Sequence, residues 1–289
     1  MCRVPEQNNP FPFVRGIARA RLAPMKVAAY QAPFLPPGSM DALDFIRIHV
    51  RRCEVEGISI LCCPEAILGG LADDAEDPRR IAISAAGLGG VLAPLSSSSV
   101  TSIVGFTEIG EGDRLYNSAA VFHRGSVVGV YRKLHPAINR SIYSAGHETP
   151  VFHVGPLTLG IVICNDSNYS EPATLMARRG ATVLFVPTNN GLPPEHAPEV
   201  VAQSRSADIA RAVENGMWVV RADVAGRAGE RVSYGSSGIV DPQGMVMHTA
   251  RELNDDLLVA EIDTTPRQVK RPPPRSLWPE RPNARKVEN

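Results

Sequence analysis

Runs of apolar residues alternate with amphipathic segments along most of the chain. The first run begins at Met25 and predicts a strand, and an amphipathic segment from Met40 to Glu56 predicts a helix that ends at Gly57. The next run, ISILCCPE, is a short, continuous apolar stretch typical of a strand that is buried on both faces. The beginning of the chain therefore predicts a strand, a helix and a second, buried strand.

The same alternation continues to about Asp263. Two more amphipathic segments predict helices, one with Ser170 as N-cap that runs to Arg179 and one from Pro198 to Asn215. The remaining apolar runs predict strands: TSIVGFTEI, LYNSAAVFH, GSVVGVYRK, LTLGIVIC, ATVLFVPT, MWVVRADV, GSSGIVDPQGMVMHTA and DLLVAEID. Strands that alternate with helices in this way predict a layered α/β fold.

The two ends of the chain differ in composition from its body. Residues 1–24 are rich in arginine and proline, which predicts a disordered N-terminal extension or an upstream start codon chosen in place of Met25. Residues 25–265 carry the regular pattern and form one predicted domain. Residues 266–289 are rich in proline and arginine and are predicted to be a tail.

Composition excludes several classes of protein. The chain has 30 Lys and Arg residues against 30 Asp and Glu residues, which argues against a nucleic-acid-binding surface. Its longest apolar runs are too short for a membrane span. The five cysteines are odd in number, and their spacing suits neither a disulfide framework nor a zinc site. We therefore expect a cytoplasmic protein without a metal.

Three candidate catalytic side chains each stand at the end of a predicted strand. Cys164 ends LTLGIVIC, where a thiol can react with a ligand at the carboxyl edge of a sheet, although a lone cysteine is more often structural. Glu65 follows a buried strand and should be partly desolvated, although it could instead cap the next segment. Lys133 ends GSVVGVYRK and would ordinarily be a solvated lysine. Together the three are far more informative than any one alone.

The segments around these residues resemble the nitrilase superfamily of carbon–nitrogen hydrolases. That family carries a glutamate, a lysine and a cysteine in this chain order. The similarity covers Met25 to about Asp263 and rests on seven segments: PEAILGG, YNSAAVF, YRKLHP, GIVICND, GATVLFVPTNNG, RSADIARAVENGMWVVRAD and GSSGIVDPQG. The chain is identified on these segments as a member of the family.

The resemblance implies a four-layer αββα sandwich that pairs into a homodimer or a higher homo-oligomer. It also implies a small-molecule amide substrate and no metal or organic cofactor. Cys164 would be the nucleophile, Glu65 the general base and acid, and Lys133 with the Asn165 N–H the oxyanion donors. Asn165 and Asn190 are predicted substrate contacts, the latter because it follows the strand ATVLFVPT.

The chain departs from the family pattern at one position. Many members carry a second glutamate between the lysine and the cysteine, whereas LHPAINRSIYSAGH contains no acidic residue and places Asn139 near that position. Asn139 could replace the carboxylate as a substrate contact, Glu148 or another acid could reach in, or catalysis could be weaker. A catalytically silent binding or regulatory member is then an alternative, as is an acyltransferase.

The residues after the cysteine bear on the reaction. Nitrile-cleaving members typically have Trp and Glu there, whereas amide and carbamoyl cleavers commonly have an aromatic residue and then Asp. The sequence Cys164–Asn165–Asp166 keeps only the Asp. It favours an amidase or N-carbamoyl hydrolase, with a nitrilase as the alternative.

Overall fold

A computed structural model describes residues 23–136 and 141–263. Its first strand begins at Met25 and its last ends at Ile262. The predictions made for Asn139 and for the C-terminal tail lie outside the described residues, as does nearly all of the N-terminal extension.

The described residues form fifteen strands and four α-helices. The helices are α1 (Ala42–Glu56), α2 (Ala85–Leu92), α3 (Ser170–Arg178) and α4 (Ala197–Asn215). The strands are β1 (Met25–Pro33), β2 (Ile60–Cys62), β3 (Ile83–Ser84), β4 (Thr101–Ile109), β5 (Leu115–His123), β6 (Ser126–Arg132), β7 (Val151–Val154), β8 (Leu157–Ile161), β9 (Val183–Pro187), β10 (Trp218–Ala222), β11 (Val224–Ala228), β12 (Arg231–Ser233), β13 (Gly238–Val240), β14 (Val246–Thr249) and β15 (Asp256–Ile262).

These strands build two sheets. The first has the order β12-β11-β1-β2-β4-β5-β6, with β15 paired to β1 and β3 paired to β4. The second has the order β14-β13-β10-β9-β8-β7. The chain passes from the second sheet back to the first between β10 and β11, at Asp223.

Alternation along the strands explains why the first sheet is buried on both faces. Val27 and Ala29 contribute to one core, together with residues of the second sheet and of α3, whereas Ala28 and Tyr30 contribute to another, together with residues of α1 and α2. Successive side chains of a strand point to opposite faces, so one strand supplies both cores. The predicted four-layer αββα sandwich is confirmed.

Two predictions of local structure were wrong, and one helix was not predicted. Ser170 is the first residue of α3 and not its N-cap, which is Tyr169. The glycine-rich segment that begins at Ala85 contains α2, whose N-cap Ser84 accepts a hydrogen bond from the Gly87 N–H. The three glycines of α2 hid this helix because glycine has a low helix propensity. The strand predicted for ISILCCPE is only Ile60–Cys62, because Pro64 cannot continue a sheet ladder.

The topology brings the carboxyl ends of several strands together. In the first sheet β2 and β4 are parallel, and β6 runs in the same direction because two antiparallel pairings separate it from β4. In the second sheet β8, β9 and β10 are parallel. The sheets are joined at this edge by a hydrogen bond from Glu65 N to Thr188 O of 3.2 Å. No helix of the described ranges is long and apolar enough to span a bilayer.

Candidate active site

Glu65, Lys133 and Cys164 line one cavity of about 330 Å³ at this edge. The first two come from the ends of β2 and β6 in the first sheet, and the third follows β8 in the second. Their sequence separation is large, so only the packing of the two sheets brings them together. The three candidate catalytic residues therefore lie around one cavity, and their roles stay predictions.

Glu65 is almost completely buried, with 1% of its surface exposed. Its Oε1 accepts hydrogen bonds from Lys133 Nζ at 2.6 Å and from Asn117 Nδ2 at 2.7 Å, and its Oε2 accepts one from Asn189 N at 2.9 Å. An added Cβ on Gly105 would lie 2.3 Å from Pro64 O, so the glycine is required for β4 to pack under the Glu65 turn. The carboxylate is therefore held in a fixed orientation.

Lys133 is buried beside this carboxylate, with 4% of its surface exposed. Burial lowers the pKa of the ammonium group, but the negative charge and hydrogen bond of Glu65, together with Cys164 and Asp166, raise it, and the net shift is upward. Lys133 is consequently a cation at neutral pH, and it presents a fixed positive charge to the cavity. Removal of one partner of a buried ion pair destabilises the fold, because the other charge stays buried without compensation.

Cys164 lies at the start of a short 3₁₀ turn, Cys164–Asn168, and has a φ of 45°. This left-handed conformation costs a residue other than glycine about 1–3 kcal/mol, so the surroundings must enforce it. Asp166 supplies part of that constraint. Its buried carboxylate accepts hydrogen bonds from Ile163 N at 3.1 Å, His135 N at 2.7 Å and Tyr131 Oη at 2.7 Å. Through these hydrogen bonds, Asp166 holds the turn that contains Cys164 against the end of β6.

The thiol is neutral in this environment. Burial raises the pKa of Cys164 to about 12 and the negative charge of Glu65 adds to the rise, while Lys133 and Arg221 oppose it. A thiol with this pKa is almost entirely protonated at pH 7, and only the thiolate is a strong nucleophile. A reaction at this thiol would need a base that accepts its proton, and that Glu65 is this base stays a prediction.

Asn139, which the sequence places near the position of the second family glutamate, lies outside the described residues. Glu148, the other candidate, is exposed and lines a separate surface cavity. Among the described residues, Glu65 is the one carboxylate that hydrogen-bonds Lys133 Nζ. Asp166 is close enough to raise the pKa of Lys133 electrostatically and is the nearest equivalent of a second acid.

The two described substrate contacts predicted from sequence both line the cavity. The Asn165 side chain donates to His135 O at 3.1 Å and accepts from Asn168 Nδ2 at 2.9 Å. Asn190 is buried, and its Oδ1 lies 3.8 Å from Cys164 Sγ. That both contact a substrate stays a prediction.

Sequence reasoning missed a buried polar group beneath the thiol. The guanidinium of Arg221, 1% exposed, donates to both carboxylate oxygens of Asp208 at 2.6 and 2.8 Å, to Thr188 Oγ1 at 2.7 Å and to Ser167 Oγ at 2.9 Å. Burial lowers the pKa of Arg221, but the charge and hydrogen bonds of Asp208, together with Cys164 and Asp223, raise it, and the net shift is upward. The one signal in the sequence is an arginine within the apolar run MWVVRADV. No cluster of potential metal ligands occurs in residues 23–136 or 141–263.

Comparison with known proteins decides the family. Residues 26–271 match the carbon–nitrogen hydrolase family. The chain belongs to this family. A hydrolase of Pseudomonas protegens is 29% identical over 258 residues, which cover 86% of this chain and 87% of that protein. An (R)-stereoselective amidase of a Pseudomonas species is 30% identical over 196 residues, which cover 66% and 68% of the two chains.

Solved structures of the carbon–nitrogen hydrolase fold agree with this assignment. An amidase from Nesterenkonia sp. superposes with a TM-score of 0.67 at 22% identity, over 86% of this chain and 94% of that one. At this identity the likeness shows the fold. The resemblance stated from the sequence motifs is confirmed, and the protein is a hydrolase of carbon–nitrogen bonds by family.

Proposed function

We propose that this hydrolase cleaves a small amide or N-carbamoyl substrate to an acid and ammonia or an amine through a thioester on Cys164. The observation that carries the proposal is the convergence of a neutral thiol, a buried carboxylate and a buried ammonium group in one small cavity. The 2.6 Å contact between Lys133 Nζ and Glu65 Oε1 fixes the latter two. Family membership supplies the class of bond, and relatives named as amidases supply the preference for amides.

In the first half of the reaction, Cys164 Sγ attacks the substrate carbonyl carbon while its proton passes to Glu65. The carbonyl oxygen becomes an oxyanion, which Lys133 Nζ and the main-chain N–H of Asn165 stabilise. Glu65 then gives the proton to the nitrogen as the carbon–nitrogen bond breaks, so that ammonia or an amine leaves. The products of this half are a neutral leaving group and a thioester on Cys164.

In the second half, water replaces the leaving group. Glu65 accepts a proton from the water as its oxygen attacks the thioester carbon, and the same cationic and N–H donors hold the new oxyanion. The carbon–sulfur bond then breaks, and the proton returns to the sulfur. The acid leaves and the thiol is restored, so each group finishes the cycle in its starting state.

The choice between amide and nitrile cleavage is tested by a substrate panel. Primary amides, N-carbamoyl amino acids and nitriles with matched side chains are assayed for ammonia release. We expect kcat/KM for amides or N-carbamoyl compounds to exceed that for the matched nitriles, because Asp166 follows the cysteine where nitrile cleavers have Glu. Faster release from nitriles would contradict this choice of substrate class.

We propose further that two copies of the chain pair into a homodimer. The exposed apolar side chains Val213 on α4 and Met245 and Met247 near β14 support this, with exposed fractions of 55%, 64% and 45%. Light scattering coupled to size exclusion should give twice the chain mass, and Val213→Asp should shift it toward one chain. A single-chain mass at all concentrations would contradict the pairing.

A further inference from the structure

The carbonyl oxygen of Asn190 faces the reactive thiol. Asn190 follows β9, is 7% exposed, and places Oδ1 3.8 Å from Cys164 Sγ. A thiol is a weak hydrogen-bond donor, and a carbonyl oxygen at this distance can accept from it. In the free enzyme, Asn190 Oδ1 is thus an acceptor for the Cys164 S–H group, separate from Glu65.

The orientation of this amide is fixed by its other end. Asn190 Nδ2 donates to Asp223 Oδ2 at 3.1 Å, to Ser236 Oγ at 3.1 Å and, less closely, to Ser204 Oγ at 3.3 Å. The opposite orientation would place the carbonyl oxygen against the Asp223 carboxylate. The oxygen therefore has to face the sulfur.

Asp223 is in turn held rigidly. It is completely buried where the chain crosses between the sheets, and its oxygens also accept from Ser236 N at 2.9 Å, Ser236 Oγ at 2.7 Å and Val224 N at 2.8 Å. Asn190 N donates to the same carboxylate at 3.0 Å. These bonds suit an ionised carboxylate, which only accepts hydrogen bonds, because a protonated one would need an acceptor for its own O–H group.

We propose that Asn190, oriented by Asp223, is a positioning residue that keeps the resting Cys164 as a neutral thiol and releases it when an amide binds. The inference rests on the proposed function of Cys164 and deepens it. An N–H of the substrate amide is a stronger donor than S–H and takes the Asn190 oxygen. The thiol then turns to Glu65, which accepts its proton as the sulfur–carbon bond forms.

The charges around the sulfur make this oxygen important. Glu65 and Asp223 disfavour the thiolate, whereas Lys133 and Arg221 favour it. The Asn190 oxygen adds a partial negative charge and an acceptor for S–H, and both stabilise the thiol over the thiolate. Its removal should therefore raise the fraction of thiolate in the free enzyme and, at the same time, slow turnover.

The test compares labelling with turnover in Asn190→Ala. Methyl methanethiosulfonate, a small reagent without an amide, is mixed with the free enzyme between pH 6 and 9, and labelling of Cys164 is read by peptide mass spectrometry. We expect labelling about three- to ten-fold faster than in the wild type, as loss of one hydrogen bond implies, and a kcat lower by a similar factor. Labelling at or below the wild-type rate would overturn the inference.

Two further variants separate this role from a general loss of packing. Asn215→Ala removes another buried asparagine, whose Nδ2 donates to Arg211 O, and should not speed labelling. Asp223→Asn frees the Asn190 amide to turn and also removes a negative charge that disfavours the thiolate, so labelling should be faster than in the wild type. Unchanged labelling in this variant overturns the inference even if Asn190→Ala does not fold. Turnover in Cys164→Ala would contradict the proposed function itself. Unchanged labelling in Asn190→Ala and Asp223→Asn contradicts only this inference.

Discussion

Glu65→Gln should lower kcat by a factor on the order of 10²–10⁴, the range that a lost general base produces. Glutamine has the same shape and can still accept from Lys133 and Asn117 at Oε1, but it cannot take the thiol proton. Burial, the largest cause of the raised pKa of the Cys164 thiol, is still present in the variant, so little thiolate is available to compensate. KM should change much less than kcat, since the shape of the cavity is kept.

The same substitution should destabilise the fold. Lys133 would remain as a buried cation without a charged partner, a situation that costs about 3–5 kcal/mol. Steady-state kinetics and urea unfolding of the one variant separate the two effects. A matched control is Glu108→Gln, because Glu108 is also buried and its pair with Arg132 at 2.6 Å lies outside the cavity.

Glu108→Gln should lose stability without a comparable loss of kcat. If Glu65→Gln kept more than a tenth of the wild-type kcat, or lost no more than the control, Glu65 would not be the base. A normal kcat in Glu65→Gln together with lower stability would show that Glu65 has only a structural role. That is the result expected if Glu65 is a capping residue.

The sequence predicted the reactive groups because their signals are local. Glu65, Lys133 and Cys164 each stand at the end of a predicted strand, which is visible without any tertiary information, and the family motifs around them distinguish them from a cap, a solvated lysine and a structural cysteine. The layered fold was predictable for a related reason, since apolar runs of strand length alternate with amphipathic helices. Both predictions depend on short-range periodicity, which a single sequence carries.

The supports of the site were not predictable in the same way. The ion pair of Arg221 with Asp208 joins β10 to α4, and the contacts of Asp223 reach Asn190 and Ser236, so each depends on how distant elements pack. The sequence indicated Asp166 only as a marker of substrate class, although its hydrogen bonds with Tyr131 and His135 fix the turn that carries Cys164. Long-range polar contacts of this kind leave no periodic trace in the sequence.

Cys164→Ala should abolish turnover, because no other described group in the cavity can form the thioester. The cavity contains one cysteine, and the other described cysteines, Cys53, Cys62 and Cys63, are buried elsewhere. Removal of one sulfur atom from a partly exposed side chain should leave the fold intact. Alanine at the φ of 45° carries about the same backbone strain as cysteine, so the substitution adds none. Equal urea midpoints of the two proteins would show that the lost activity is chemical.

The most direct measurement is the intact mass of the enzyme after a rapid acid quench during turnover of the best amide in the panel. We expect a wild-type species heavier by the acyl group less one hydrogen, with the added mass located on Cys164. We expect neither this species nor ammonia release in Cys164→Ala. Ammonia release by Cys164→Ala at the wild-type rate, or an acyl group located on another residue, would contradict the proposed mechanism.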